Sequence, residues 1–345
     1  PITRARIGLR YLRATKAGVS ITPVSAAQSP RISISNTRSL TIRWTAAYDA
    51  SMIPNLRLLA TVRVLAVASS YDIGAQTPVD DPLLVRGKYV LQISGCRHCH
   101  TAENGEPLAG GRPLETPFGT FYTPNITSHE TAGIGAWSEN DFRRALRNGV
   151  SPDGSDYYPA FPYTSYSRMT VEDTRALQAY ILSLPASAQS NRAHELAWFL
   201  RWRFAAKAWK WLFFNPGEFQ QHPQRSAQWN RGAYLAEALA HCGECHTPRN
   251  LFGALQQDLA YAGNAHGPDD ELVPNITPHK GTGIGDWDRA ALQEFLKFGE
   301  LPDGEYTAGS MDYVIEEIRN LTPEDREALI DYLLALTPIE NRVGR

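Results

Sequence analysis

All four cysteines of this 345-residue sequence fall in two pentapeptides of one form, Cys-x-x-Cys-His. The first pentapeptide is Cys96–His100 and the second is Cys242–His246. Two cysteines three positions apart on a helical turn lie on one face, so both sulfurs can form thioethers with the two vinyl groups of one porphyrin. The histidine that follows can then ligate the iron from the proximal side. This pattern is the attachment signature of c-type haem.

The two motifs therefore predict two covalently bound haem c groups. Zinc is a poor alternative, because a zinc site wants its two cysteine pairs roughly 12–20 residues apart, whereas these are 146 apart. A thioredoxin-like disulfide is also a poor alternative, because that motif does not call for a following histidine. We expect thioethers at four cysteines and proximal iron ligation by two histidines: Cys96, Cys99, Cys242 and Cys245, with His100 and His246.

A longer pattern recurs at a spacing of 150 residues. Pro124–His129 followed by Gly133–Trp137 matches Pro274–His279 followed by Gly283–Trp287. Such a repeat indicates two related domains. Each copy orders its segments as a helix leading into the motif, a long loop, a short helix and a final helix with a threonine N-cap. This is the order of a small all-helical cytochrome.

The sequence therefore predicts an all-α fold of two tandem class I cytochrome c domains joined by a helical, Trp-rich linker. We place the first domain at 82–186, the linker with its amphipathic helix at 187–225, and the second domain at 226–345. Residues 1–81 form an N-terminal extension. Residues 52–75 within it can be interpreted as a signal-like segment, and the alternative is a basic extension.

The loop before the last helix of each copy should carry the sixth iron ligand. Met311 suits the second copy, because a thioether is a soft ligand that raises the potential of the iron. In the first copy the 150-residue offset places Phe161 opposite Met311, and phenylalanine cannot bind iron. We predict Met169, eight residues later, as the ligand. The alternatives are an open distal side and His129.

The charge is unevenly distributed along the chain. Residues 1–71 hold ten Lys and Arg against one acid, which leaves the remainder at 24 − 35 = −11. An acidic body argues against nucleic acid as a partner, because nucleic-acid binding needs a basic stripe. It suits a basic surface on a partner protein.

Over residues 82–340 the sequence resembles the multihaem cytochrome c subunits that accept electrons from bacterial periplasmic alcohol, gluconate and aldehyde dehydrogenases. The resemblance rests on both Cys-x-x-Cys-His motifs, the repeated loops, Tyr158–Tyr163 and Gly309–Met311. Two departures stand out. Such subunits typically carry three haems, whereas residues 1–80 hold no cysteine, and many have methionine where Phe161 stands. Dihaem relatives with phenylalanine there have a methionine at the place of Met169.

The sequence thus predicts a periplasmic dihaem protein that carries single electrons from a dehydrogenase to an oxidase, quinone or small cytochrome. The alternative is a haem enzyme, with an open first haem acting on a small molecule such as peroxide or a sulfur oxyanion. Arg112, His129 and Arg168 could then act as distal groups, although they form no clear acid–base set.

Aromatic and basic residues share Ala193–Phe214 in the linker, including four tryptophans. We expect the aromatic side chains to fill the seam between the two domains. The alternatives are a membrane surface, which would make the association peripheral, and a docking partner. His98 and His241 adjoin the motifs, and we expect them to be exposed helix residues rather than ligands.

Overall fold

The computed structural model describes residues 81–200 and 202–344, and these residues are predominantly helical. The predicted N-terminal extension, with its signal-like segment at 52–75, lies outside the described residues except for Asp81. The elements of the first half are α1 (Pro82–Ile93), α2 (Cys96–Cys99), β1 (Pro113–Thr116), β2 (Gly119–Tyr122), α3 (Glu139–Asn148), α4 (Tyr163–Tyr166) and α5 (Val171–Ser183).

A connecting segment leads to a second half with a similar order of helices. The connection contains β3 (Glu195–Leu196), a 3-10 turn (Trp198–Leu200) and α6 (Phe204–Phe213). The second half contains α7 (Ala227–Tyr234), a π-helical turn (Leu235–Leu239), α8 (Gly243–His246), α9 (Arg289–Phe298), α10 (Ser310–Ile318) and α11 (Pro323–Leu334). The described residues all belong to one compact unit. None of its helices has the length and apolar character needed to cross a bilayer.

The final helix of each half begins at its predicted N-cap. The Thr170 hydroxyl accepts the N–H of Asp173 at the start of α5, at 3.1 Å. The Thr322 hydroxyl accepts the N–H of Asp325 at the start of α11, also at 3.1 Å. Each cap satisfies a backbone donor that the first helical turn leaves without a partner.

The first and last long helices of each half pack against each other at a glycine. A Cβ atom at Gly87 of α1 would lie 2.0 Å from the carbonyl oxygen of Ala176 in α5. A Cβ atom at Gly232 of α7 would lie 1.9 Å from the carbonyl oxygen of Ala328 in α11. Only glycine permits this approach, so these two positions set the distance between the helices.

The all-α expectation is wrong in one respect, because a small antiparallel sheet joins β1, β2 and β3 in that order. Gly119 of β2 pairs with Leu196 of β3, which ties the connecting segment to the first half. Leu196 packs with Phe121 and Tyr158 in a small second core. The strands are only two to four residues long, which is too short for a period-two pattern to predict them.

Each half donates a tyrosine hydroxyl to a buried carboxylate of the other half. Arg86 donates two hydrogen bonds to Asp173, at 2.6 and 2.8 Å, within the first half. Tyr234 of the second half donates its hydroxyl to the same carboxylate, at 2.6 Å. In the second half, Arg231 likewise donates two hydrogen bonds to Asp325. Tyr89 of the first half donates its hydroxyl to that carboxylate. We call these two sets the exchanged tyrosine clusters.

Candidate haem sites

Each Cys-x-x-Cys-His motif forms a single helical turn. The His100 N–H donates to the Cys96 carbonyl at 2.9 Å, and the His246 N–H donates to the Cys242 carbonyl at 3.0 Å. This turn brings the two cysteines of a motif to one side, as attachment to one porphyrin requires. None of the four cysteines forms a disulfide bond.

Both motif histidines are held in one tautomer by a proline carbonyl. The Nδ1 of His100 lies 2.7 Å from the Pro124 carbonyl oxygen, and that of His246 lies 2.8 Å from the Pro274 carbonyl oxygen. A carbonyl only accepts, so Nδ1 carries the proton and Nε2 is left unprotonated, as a metal ligand needs to be. Burial lowers the pKa of both imidazoles, which favours the neutral form that binds a metal.

Burial raises the pKa of the thiols in both motifs. Burial raises the pKa of Cys242 to about 12 and that of Cys245 to about 11, and it raises the pKa of Cys96 and Cys99 as well. In the described part of the chain, no group of three or more His, Cys, Asp or Glu side chains is placed to hold a metal ion. The motif turns and the oriented imidazoles fit covalent haem, in which each iron would take one motif histidine.

The repeated Pro-Asn-Ile-Thr loops hold these proline carbonyls in place. The side-chain carbonyl of Asn125 accepts the N–H and hydroxyl of Thr127, at 2.9 and 2.7 Å, and that of Asn275 does the same with Thr277. Both asparagines are buried, and their amide groups donate to backbone carbonyls of residues beyond the last helix of the same half. The two asparagines therefore act inside the protein, where they fix the conformation of each loop.

The two methionines expected as distal ligands lie in different settings. Met169 is fully buried in the core, one residue before the N-cap of α5. Its structural counterpart in the second half is the buried Leu321, whose backbone makes the same turn. Met311 is partly buried, in the first turn of α10. The four-residue α4 stands where the second half has the nine-residue α10. The 150-residue offset therefore does not identify equivalent residues in the loops before the two final helices.

The groups considered for an open first haem have other partners. Arg112 donates to a backbone carbonyl of the first motif at 3.0 Å, and Arg168 pairs with Glu237 at 3.1 Å. The Nδ1 of His129 accepts the N–H of Ala132 at 3.1 Å. Arg112 and His129 thus hold backbone groups in place, and Arg168 joins the two halves.

The expectation that His98 and His241 are exposed is wrong. His98 is half-buried and stacks on Tyr313 of the second half, with 4.0 Å between ring centroids. His241 is half-buried and packs edge-to-face on Tyr166 of the first half, with 5.4 Å between centroids. Sequence reasoning missed both contacts because the partner lies in the other half, and nothing near either histidine signals it.

The tryptophans of the connection divide between the seam and the surface. Trp209 donates its indole N–H to the Phe252 carbonyl of the second half at 2.8 Å, and its ring meets Tyr163 of the first half edge-on. It therefore lies in the seam as expected. Three others do not, because they are exposed: Trp198, Trp202 and Trp211.

Comparison with known proteins assigns the family. Residues 84–185 match the family described as Cytochrome c. A diheme cytochrome c-type protein of Cereibacter sphaeroides is 38% identical over 74% of this chain and 86% of its own length. The gluconate 2-dehydrogenase cytochrome c subunit of Pantoea cypripedii is 36% identical over 76% of this chain, which spans only 61% of that subunit.

A third relative is a nicotinate dehydrogenase subunit of Pseudomonas putida, which is 39% identical over 74% of this chain. The chain spans only 21% of that protein's length. The predicted resemblance to dihaem cytochromes and dehydrogenase cytochrome subunits is thus confirmed. Because the match to the diheme protein covers most of both chains, this chain belongs to the cytochrome c family and takes covalently bound haem c as its cofactor.

Proposed function

We propose that this chain is a periplasmic dihaem cytochrome that carries single electrons from a dehydrogenase to a respiratory acceptor, which is an oxidase, a quinone or a small cytochrome. The observation that carries the proposal is the motif histidine fixed by a proline carbonyl, which occurs once in each half. The relatives are cytochromes and dehydrogenase subunits, which favours electron transfer over the haem-enzyme alternative.

Each half would hold one haem, which supplies the one-electron chemistry of its iron. The cysteines would attach the group, the histidines would present a neutral Nε2 to the iron, and the two methionines would supply soft distal ligands that favour electron transfer over ligand exchange. The residues proposed for these roles are Cys96, Cys99, His100 and Met169 in the first half, and Cys242, Cys245, His246 and Met311 in the second.

The proposed domain division follows the repeat. The first class I domain would occupy 82–186 and the second 226–345, with 187–225 as the linker. Two observations support it: each half has its own glycine contact between first and last helices, and each half has its own motif turn. The exchanged tyrosine clusters would then be a contact between domains.

The donor is proposed by similarity. The chain is similar to a cytochrome c subunit of gluconate 2-dehydrogenase and to a subunit of nicotinate dehydrogenase, which points to a periplasmic dehydrogenase as the source of electrons. The acidic body of the chain would attract a basic surface on either redox partner over long range.

Peripheral association with the inner membrane is supported by an exposed apolar surface. We call this surface the aromatic face, and it consists of Trp198, Trp202, Phe204, Trp211 and Leu212. Arg203 and Lys207 are exposed on the same segment, and Phe204–Phe213 contains no acid. Tryptophan beside basic side chains is the composition that favours the interface of an anionic bilayer.

Optical and electron paramagnetic resonance spectra of the ferric holoprotein test the electron-carrier proposal. We expect two low-spin haems with methionine–iron absorption, and no carbon monoxide binding after reduction. Met169→Ala and Met311→Ala should each convert one haem, and only one, to a form that binds carbon monoxide. A wild-type high-spin haem that binds carbon monoxide would refute ligation by Met169 and favour the haem-enzyme alternative.

Co-sedimentation with vesicles tests membrane association. We expect the holoprotein to bind vesicles of phosphatidylglycerol and phosphatidylcholine, and Trp211→Ser to bind about tenfold more weakly because it removes a large apolar contact. The matched control is Leu272→Ser, since Leu272 is 62% exposed but lies outside the aromatic face. Equal binding by the two variants would refute the role of the aromatic face.

A further inference from the structure

The helix that carries Met311 is held at its start by a carboxylate from a distant part of the second half. The two carboxylate oxygens of Glu271 lie 3.0 and 3.3 Å from the backbone nitrogen of Ser310, which donates its N–H to them. Ser310 is the first residue of α10 and immediately precedes Met311. Glu271 therefore holds the residue next to the proposed distal ligand.

Glu271 supplies the cap that the N-cap residue of α10 cannot supply. That residue is Gly309, which has no side chain to accept a hydrogen bond. Gly309 has a φ of +67°, and a Cβ atom there would lie 2.3 Å from a carboxylate oxygen of Glu271. Glycine thus permits both the turn of the backbone and the close approach of the carboxylate. The negative charge of Glu271 is also favourable at the positive end of the helix dipole.

The residue on the other side of Met311 is anchored as well. The Thr307 hydroxyl donates to the Asp312 carboxylate at 2.5 Å. The Asp312 N–H donates to the Gly309 carbonyl at 3.2 Å, which closes the turn around the methionine. Both chain neighbours of the proposed ligand therefore take part in a hydrogen bond that includes a carboxylate.

Glu271 is also close in sequence to the group that orients the proximal histidine. Three residues after Glu271, the Pro274 carbonyl oxygen lies 2.8 Å from Nδ1 of His246. Val273, between them, is buried and exchanges two backbone hydrogen bonds with Asn264, at 2.8 and 2.9 Å. One short, hydrogen-bonded segment thus carries both the carboxylate that holds the distal loop and the carbonyl that fixes the proximal imidazole.

The first half has a different residue at this position and a different helix before its last one. The repeated Pro-Asn-Ile-Thr loops align Phe121 with Glu271. Phe121 is buried against Tyr158, with 5.5 Å between ring centroids, and this half has the four-residue α4 in place of α10. The carboxylate thus occurs in the half that has α10, as expected if its role is to hold that helix and its methionine.

We propose that Glu271 is a positioning residue for the second haem, which keeps Met311 in place as the distal ligand by holding the first N–H of α10. A foreign ligand must displace Met311 to reach the iron. To make room, the first turn of α10 moves and the bond between Glu271 and Ser310 breaks, so this bond opposes ligand exchange. The inference rests on the proposed function, because it takes Met311 as the ligand of a second haem.

Imidazole binding to the ferric holoprotein, followed by loss of the methionine–iron absorption, tests this role. Imidazole competes with the methionine, so its affinity reports how firmly the methionine is held. We expect Glu271→Ala to raise the imidazole affinity of the second haem by about tenfold to a hundredfold, because a hydrogen bond to a charged group is lost. The first haem should stay within about twofold of wild type. Met311→Ala, in which only the first haem keeps a methionine, shows which phase of the titration belongs to which haem.

Two further variants separate the hydrogen bond from charge and from general disturbance. Glu271→Gln keeps the shape and one acceptor oxygen, but a neutral bond is about half as strong, so the affinity should rise only about threefold to tenfold. If the alanine variant loses haem, the glutamine variant decides the question. The matched control is Glu305→Ala, which removes an exposed carboxylate that accepts no hydrogen bond from any described residue. We expect this control to stay within about twofold of wild type at both haems.

The outcomes distinguish the two proposals. An imidazole affinity within twofold of wild type at the second haem in both Glu271 variants would overturn the role of Glu271 and leave the proposed function intact. An equal rise at both haems, or the same rise in Glu305→Ala, would also overturn it. A wild-type protein that binds fewer than two haems, or whose second haem shows no methionine–iron absorption, would instead count against the proposed function.

Discussion

The hydroxyl of Tyr234 should stabilise the contact between the halves by a measurable amount. The Tyr234→Phe substitution keeps the ring but removes the hydrogen bond to Asp173, which is 2.6 Å long and joins two buried residues. Arg86 retains its own two bonds to that carboxylate. A hydrogen bond to a charged group contributes about 1.5–3 kcal/mol, so we expect the free energy of unfolding to fall by that amount.

Thermal unfolding of the holoprotein measures this loss. Each kcal/mol shifts the midpoint of a domain of 150–250 residues by about 2–4 °C, so the expected drop is about 3–12 °C. The control is Tyr306→Phe, because Tyr306 is 63% exposed and should change the free energy of unfolding by less than about 0.5 kcal/mol. A Tyr234→Phe midpoint equal to that of the control would refute the idea that the exchanged tyrosine clusters hold the halves together.

Three other perturbations have defined outcomes. Burial raises the pKa of Glu317 to about 8, and an unfolded glutamate ionises near 4.5, so the unfolded state binds fewer protons between these values. Stability should therefore fall from pH 6 to pH 8 by up to about 1.4 kcal/mol per pH unit, and chemical unfolding of Glu317→Gln should show a flatter profile. Gly232→Ala should lower the free energy of unfolding by about 1–3 kcal/mol, because the new Cβ forces α11 away from α7. Its denaturation midpoint should fall below that of the control Gly217→Ala, where a Cβ would meet nothing within 4 Å. Glu244→Gln should lower the free energy of unfolding by about 2–4 kcal/mol in the same assay. The reason is that the buried Glu244 carboxylate accepts hydrogen bonds from three side chains, those of Thr164, Ser165 and Arg249.

The parts of the site that sequence predicted are those encoded within a few residues. The motif turns and the threonine caps depend on neighbours three or four positions away, so their patterns are readable directly. The repeated loops were found because the same residues occur twice, although their task of fixing the histidines through proline carbonyls became visible only in three dimensions.

The parts that sequence missed depend on contacts between the halves. His241 and Tyr166 are 75 positions apart, and Tyr89 and Asp325 are 236 apart, and neither pair has a local pattern that names its partner. The ligand loops are a different case. There the 150-residue repeat does not continue, because a four-residue helix in one half stands where the other half has a nine-residue helix.

The exchanged tyrosine clusters also constrain the order in which the chain can mature. Tyr89 lies in α1, but the carboxylate that receives its hydroxyl belongs to Asp325 in the first turn of α11. Contacts this distant in sequence form late, because the intervening chain must first be ordered. The surface of the first half around Tyr89 is therefore completed only after α11 has been synthesised.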